Sequence, residues 1–352
     1  MPVTVRGKAE KEKEKLNEIL GSLLATINDT IQVLDQKPHS SLPKVCWEDV
    51  IKMGDQVSKQ ATIVGMLWSG EKPESKAIEE NMETYFNTLQ GFLLLSHGSK
   101  VGAGPTLSSS VDASLKQVVD SSFRLMKGTV SFYGSHGEDL KLSLPQLVGA
   151  VWEACSALKK TPITNITAIG RGMTQVAVSV KDVLREMREL KLASSDDPSE
   201  DDLGNDLSPE EMKVAQCAIV VVSDSLLVIK ELIRSITGLL KQEKPNDNST
   251  FVNSLEKLLQ QCQEIGRQID EIGFCLYPPQ GLSSIKAALE KIQSTIDAVE
   301  VELGELHGTP DLFQEACSSL RSSLKQLASE VEVGGSSAAD IEAKLENITL
   351  TK

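Results

Sequence analysis

Apolar residues recur at every third or fourth position along most of this 352-residue chain. This period places them on one face of an α-helix, whereas the two-residue alternation typical of strands is nowhere sustained. The pattern predicts six helices in the first half of the chain, at about residues 8–34, 47–68, after Pro73, 107–133, 144–160 and 163–192. Leu16, Leu20, Leu23, Ile27, Ile31 and Leu34 form the first of these apolar faces. The chain is therefore expected to be all-α.

Sequence signals for helix starts locate the beginning of two of the predicted helices. Ser143 precedes Pro145 by two residues and can cap the fifth helix. Ser208, Pro209 and Glu211 combine a capping serine, a proline at the first helical position and a glutamate three residues after the cap. The second half of the chain then predicts helices at about 208–241, 251–276, 282–306 and 310–331, and a short one at 340–350 after a Gly-Gly-Ser-Ser break.

An acidic segment separates the two halves. Residues 193–207 contain six Asp or Glu residues and no Lys or Arg, a composition typical of a solvated linker. The chain also exceeds the usual size of one compact helical domain. We therefore predict two antiparallel helical bundles, residues 1–192 and 208–352, joined by an acidic disordered linker at 193–207.

The net charge limits the classes of partner, and the cysteines indicate the cellular compartment. The formal net charge is -14, which repels nucleic acid and anionic membrane surfaces at long range. No run of about 20 apolar residues suggests a membrane span, and the N-terminus has no apolar signal region. The six cysteines form no Cys-x-x-Cys pair and are typical of reduced thiols in the cytosol or nucleus.

The candidate chemistry is sparse. All four histidines, including His97, fall in predicted loops and none has the spacing of a metal or catalytic site. The glycines at Gly170 and Gly172 match no phosphate-binding motif and favour close helix packing instead. We predict no enzyme activity, cofactor or metal. Ser194 and Ser199 each have an aspartate three residues downstream, so the acidic segment is either a kinase target or an inert spacer.

Two segments resemble the cyclin-D-binding (GCIP-type) protein family. The first, from Val151 to Met187, carries the matching residues Trp152, Cys155, Pro162, Asn165, Lys181 and Asp182; the second is Tyr277, Pro278 and Pro279 at a helix end. The chain departs from the family at its N-terminus and in a shorter acidic segment. The resemblance implies vinculin- and talin-type bundles, binding to D-type cyclins and helix-loop-helix regulators, a negative effect on cell-cycle entry or transcription, and a nuclear and cytoplasmic location.

Trp152 and Tyr277 can serve either core packing or partner contact, and their position beside apolar helical faces favours packing. The leading functional hypothesis is a non-enzymatic regulatory adaptor that binds proteins. The alternative is a cytoskeletal or adhesion adaptor of the vinculin and talin kind, because fold alone does not separate the two. The acidic charge of the chain favours the first hypothesis.

Overall fold

The computed structural model describes residues 3–36, 38–39, 41–69, 73–133, 139–191, 207–241 and 249–349. These residues form ten α-helices and two short 3₁₀ turns, and they contain no β-strand. The all-α prediction is therefore confirmed. The helices are α1 (Val3–Leu34), α2 (Trp47–Leu67), α3 (Ser75–Ser99), α4 (Pro105–Phe132), α5 (Asp139–Ala157), α6 (Asn165–Met187), α7 (Pro209–Gly238), α8 (Ser249–Cys275), α9 (Leu282–His307) and α10 (Asp311–Thr349).

The chain divides into two compact units, Met1–Asn165 and Ile166–Lys352. In the first unit, α1 runs parallel to α3, because Lys15 pairs with Glu79 near one end while His97 bonds the Leu34 carbonyl near the other. Helices α3 and α4 run in opposite directions, because Lys100 at the end of α3 pairs with Asp112 near the start of α4. Between the same two helices, the Tyr85 hydroxyl donates to Ser122 Oγ at 2.8 Å inside the core. Burial raises the pKa of Tyr85, so this hydroxyl stays protonated and keeps its role as donor.

The second unit is built around α7, which is buried on several sides as its continuous apolar patch predicts. The predicted start of this helix is confirmed: Ser208 Oγ accepts from the Glu211 backbone N–H, and the Glu211 carboxylate accepts from the Ser208 N–H. By length and apolar content, α7 is also the one helix in the described part of the chain that could cross a bilayer. Core residues such as Val221, Val222 and Ile229 are, however, buried among the other helices of this unit.

Helix α6 belongs to this second unit. Its buried face lies in the same core as α7 to α10, through Ile166, Ile169, Met173, Val180, Leu184 and Met187. The approach of α6 to α8 is close, because a Cβ placed at Gly172 would lie 2.9 Å from Leu259 and one at Gly266 would lie 2.8 Å from Val176. The interpretation of Gly172 as a close-packing residue is confirmed, and Gly170 similarly faces Thr237 of α7.

This placement corrects the predicted domain boundary. We predicted that α6 would complete the first bundle, residues 1–192, and that the acidic segment would join two domains. The structure instead puts both α6 and α7 in the second unit, so the acidic segment connects two helices of one unit. The segment itself, residues 192–206 with Ser194 and Ser199, lies outside the described residues. At its end Leu207 is buried, and its N–H donates to the Lys191 carbonyl at 3.0 Å.

Three further predictions differ from the structure. Helix α5 begins at Asp139, so Ser143 is not its cap and Pro145 lies inside the helix. Helix α10 continues through Gly334–Gly335, because a helical glycine costs only about 1 kcal/mol relative to alanine and does not forbid the conformation. His97 lies in the last turn of α3 and not in a loop. The predicted likeness to vinculin and talin bundles stays a prediction.

Candidate functional site

Asn165 organises the turn between α3 and α4. Its side chain is 3% exposed; Oδ1 accepts from the Gly104 backbone N–H at 2.7 Å and Nδ2 donates to the Gly102 carbonyl at 3.0 Å. Gly104 is the residue before α4. Gly102 has a φ of +75°, a backbone conformation that residues other than glycine rarely adopt. The role of Asn165 is therefore to fix this turn, and its burial removes it from any partner surface.

Trp152 lies on the outer face of α5 and not in the core. It is 45% exposed, and its indole N–H donates to Thr62 Oγ1 of α2 at 3.1 Å. Cys155, one turn further along, is buried, and burial raises the pKa of its thiol to about 12. Of this pair, only Trp152 is accessible to a partner.

The other family-type residues are spread over the chain and do not form one site. Pro162 lines a shallow depression near Trp47 in the first unit. On α6, Lys181 is exposed and Asp182 pairs with Arg185 at 3.2 Å. Tyr277 is 44% exposed at the end of α8, before a cis peptide bond that joins Pro278 to Pro279. The prediction that Trp152 and Tyr277 pack in the core is therefore wrong, because both side chains are exposed.

A concave site lies in the first unit, between α1, α3 and α4. We call it the α1–α4 groove; its volume is about 320 Å³. This size falls within the range of sites that hold a small ligand or the anchor side chains of a partner. Its apolar surface comes from three helices and consists of Ile31, Leu34, Leu93, Leu115, Val119 and Phe123. Leu93 and Val119 are buried at the base, whereas Ile31 is 37% exposed at the rim.

Hydrogen bonds connect α1 and α4 outside the groove. Near the start of α1, the Tyr133 hydroxyl donates to the Glu12 carboxylate and Lys13 donates to the Ser131 carbonyl, both at 2.8 Å. Further along, the space between the two helices is lined by residues 28–35 of α1 and 112–123 of α4. The periodicity of α1 predicted an apolar face at Ile31, but it could not show that this side chain is 37% exposed at the rim of a groove.

The polar side chains of the groove are mainly charged. Lys100 is only 8% exposed, and its ammonium group donates to Asp112 at 2.8 Å. A buried lysine is stable when it is paired in this way. His97 also lines the groove, with Nδ1 held by the Leu34 carbonyl at 3.1 Å. Asp35, Asp120 and Lys116 complete the rim and are exposed to solvent.

The lining of the groove combines apolar side chains with acidic and basic ones. It contains no thiol or hydroxyl nucleophile beside a base, which acyl or phosphoryl transfer would use. Among the described residues, no group of three or more His, Cys, Asp or Glu side chains has metal-binding geometry. An open apolar groove with a charged rim is typical of a protein that binds another protein.

Comparison with known proteins places this helical binding protein in a family. Residues 49–193 match the N-terminal family model described as Grap2 and cyclin-D-interacting, and residues 194–301 match its C-terminal counterpart. The chain therefore belongs to the GCIP family, and the resemblance seen in its sequence is confirmed. It is 23% identical over 283 residues to the cyclin-D1-binding protein 1 homolog of Xenopus laevis, covering 75% of this chain and 81% of the relative.

The division between the two family models falls at residues 193 and 194, in the acidic segment, whereas the compact units divide at Asn165 and Ile166. The two boundaries describe different properties. The family boundary follows the sequence pattern, which changes at the acidic residues. The structural boundary follows the core that α6 completes.

Proposed function

We propose that this chain is a non-enzymatic regulatory protein that binds a D-type cyclin and restrains progression through the cell cycle. The observation that carries the proposal is the match of residues 49–301 to the cyclin-D-interacting family, together with a relative whose name states that it binds cyclin D1. Helix-loop-helix regulators are a second class of partner in this proposal. We expect the protein to bind its partners in both the nucleus and the cytoplasm.

The chemistry of the surface supports a protein partner. The α1–α4 groove exposes apolar side chains beside charged ones, and Trp152 exposes an aromatic ring elsewhere on the same unit. Aromatic and apolar anchors in a charged surround are common in protein interfaces. The net charge of -14 favours a partner with a basic surface over nucleic acid. The alternative of a cytoskeletal adaptor has no comparable support from the family match.

Direct titration of the purified full-length chain with a purified D-type cyclin tests the binding proposal. We expect saturable binding at one site per chain, weakened by salt because the chain is acidic. A cyclin of another class, at the same concentration, is the matched control. Absence of binding to the D-type cyclin, or equal binding to both cyclins, would contradict the proposal.

The regulatory part of the proposal requires a cellular measurement. Depletion of the protein should increase the fraction of cells that enter DNA synthesis, and re-expression should reverse the effect. A re-expressed variant that has lost cyclin binding in the titration is the control, and it should not reverse the effect. An unchanged fraction after depletion would argue against a restraining role.

A further inference from the structure

The α1–α4 groove has a length and shape that can bind one helix. On α4 its lining extends over residues 112–123, a length of about 16 Å or three helical turns. The opposite wall is the last part of α1, and α3 forms the base. A groove between two helical walls can accept a third helix along its length, with anchor side chains at every third or fourth position directed to the base.

The α4 wall repeats every four residues in two rows. Leu115, Val119 and Phe123 form an apolar row, and Asp112, Lys116 and Asp120 form a charged row beside it. Side chains four apart lie on the same face of a helix, so each row follows the groove. An amphipathic helix with a row of Leu-like residues would match the apolar row.

The charges of the groove indicate which residues the partner helix should carry beside its apolar row. Asp112 is already paired with Lys100, whereas the carboxylates of Asp35 and Asp120 form no ion pair or hydrogen bond with the described part of the chain. They lie on opposite walls, Asp35 on the α1 side and Asp120 on the α4 side. Lys116 adds one exposed positive charge, so the groove charges outside the Asp112–Lys100 pair are two carboxylates and one ammonium, a net charge of -1. A partner helix with Lys or Arg next to its apolar row would place a positive charge near the two carboxylates.

From these observations we propose that the α1–α4 groove binds an amphipathic helix of a protein partner, with an apolar stripe flanked by basic residues. The inference rests on the proposed function, because it names the surface through which a protein partner is held. It adds the class of segment that is recognised and the side chains that recognise it.

A synthetic helix provides the direct test. The probe is a peptide of about 15 residues with Leu at helical spacing and Lys beside it, compared with a peptide in which every Lys is Glu. We expect the full-length protein to bind the basic peptide at least tenfold more tightly than the acidic one. Failure to bind the basic peptide, or equal binding of both, would overturn the inference.

Two matched pairs of variants locate the binding. Ile31→Glu introduces a charge at the groove rim, whereas Val33→Glu changes a residue of the same helix that is 74% exposed and outside the groove. Asp120→Lys reverses a groove charge, whereas Asp29→Lys reverses an exposed α1 charge that does not line it. Ile31→Glu and Asp120→Lys should each weaken binding of the basic peptide about tenfold or more, and the two controls less than twofold. Equal effects within either pair would contradict the location.

The same variants keep the inference separate from the proposed function. If the wild-type chain binds the peptide in the groove but no D-type cyclin, the inference stands and the proposed function fails. If the chain binds the cyclin but the groove variants leave peptide binding unchanged, the proposed function stands and the inference fails.

Sedimentation at increasing concentration tests whether a second copy of the chain occupies the groove instead. Self-association that Ile31→Glu abolishes would assign the groove to a second copy and overturn the inference. Circular dichroism and thermal unfolding confirm that each variant is folded.

Discussion

Removal of α6 is the sharpest test of how this chain is divided. Two fragments differ by this helix and the acidic segment: residues 166–352 correspond to the second compact unit, and residues 208–352 correspond to the C-terminal bundle predicted from the sequence. Six apolar side chains of α6, each at most 5% exposed, lie in the second core. If the structural division is right, only the longer fragment contains a complete core.

The size of the effect follows from burial. Covering one large apolar side chain contributes about 1.5 to 3 kcal/mol, and removal of α6 uncovers a comparable area on the helices that it contacts. Loss of six such contacts is therefore of the order of 10 kcal/mol, which equals the whole free energy of unfolding of a typical domain at about 5 to 15 kcal/mol. The shorter fragment should have no stable fold of its own.

Thermal and denaturant unfolding of both fragments, followed by circular dichroism, measures this difference. We expect cooperative unfolding for residues 166–352, and a broad or absent transition with binding of an apolar dye for residues 208–352. Addition of a peptide containing residues 165–191 to the shorter fragment should restore a cooperative transition. Equal midpoints for the two fragments would refute the assignment of α6 to the second unit.

Three other predictions concern single residues. Gly266→Ala should destabilise the protein by about 1 kcal/mol in denaturant unfolding. Overlap of the new methyl group with α6 costs about 1 to 3 kcal/mol, which exceeds the gain of about 1 kcal/mol from the higher helix propensity of alanine. The control Gly238→Ala, whose methyl group would meet nothing within 4 Å, should not destabilise the protein. Asn165→Ala should lower the free energy of unfolding by about 2 kcal/mol, since it leaves a buried backbone N–H without its acceptor; an unchanged free energy of unfolding would contradict this role. Burial raises the pKa of Cys262 to about 12, so about one thiol in ten thousand is ionised at pH 8, and alkylation read by mass spectrometry should label exposed Cys46 well before Cys262.

The helical architecture could be predicted from the sequence because its causes are local. The stripe of α1 places Leu16, Leu20 and Ile27 in the core as its period requires. The capping box at Ser208 and Glu211 is formed by residues three apart, so no distant contact is needed to predict it. Such features depend only on neighbours along the chain.

Features that depend on distant contacts were not predictable. The acidic segment has the composition of a linker, but that composition is equally suited to a connection between two helices of one unit. Contacts of α6 with α7 and α8 distinguish the two cases, and those with α8 join residues about 90 positions apart, such as Val176 and Gly266. The groove was missed for the same reason. Ile31 continues the α1 stripe, and its exposure depends on the separation between α1 and α4.

The hydrogen bond from Leu207 to the Lys191 carbonyl brings the two ends of the acidic segment together. The residues on either side of the segment are therefore neighbours in space, and the entropic cost of joining two such points by a longer connection rises only with the logarithm of its length, by about 0.6 kcal/mol for each doubling. Insertion of a tag or a small domain between residues 192 and 206 should therefore be tolerated. A protease cut there would leave two polypeptides that remain associated, because α6 on one side of the cut stays buried in the core formed by α7 to α10 on the other.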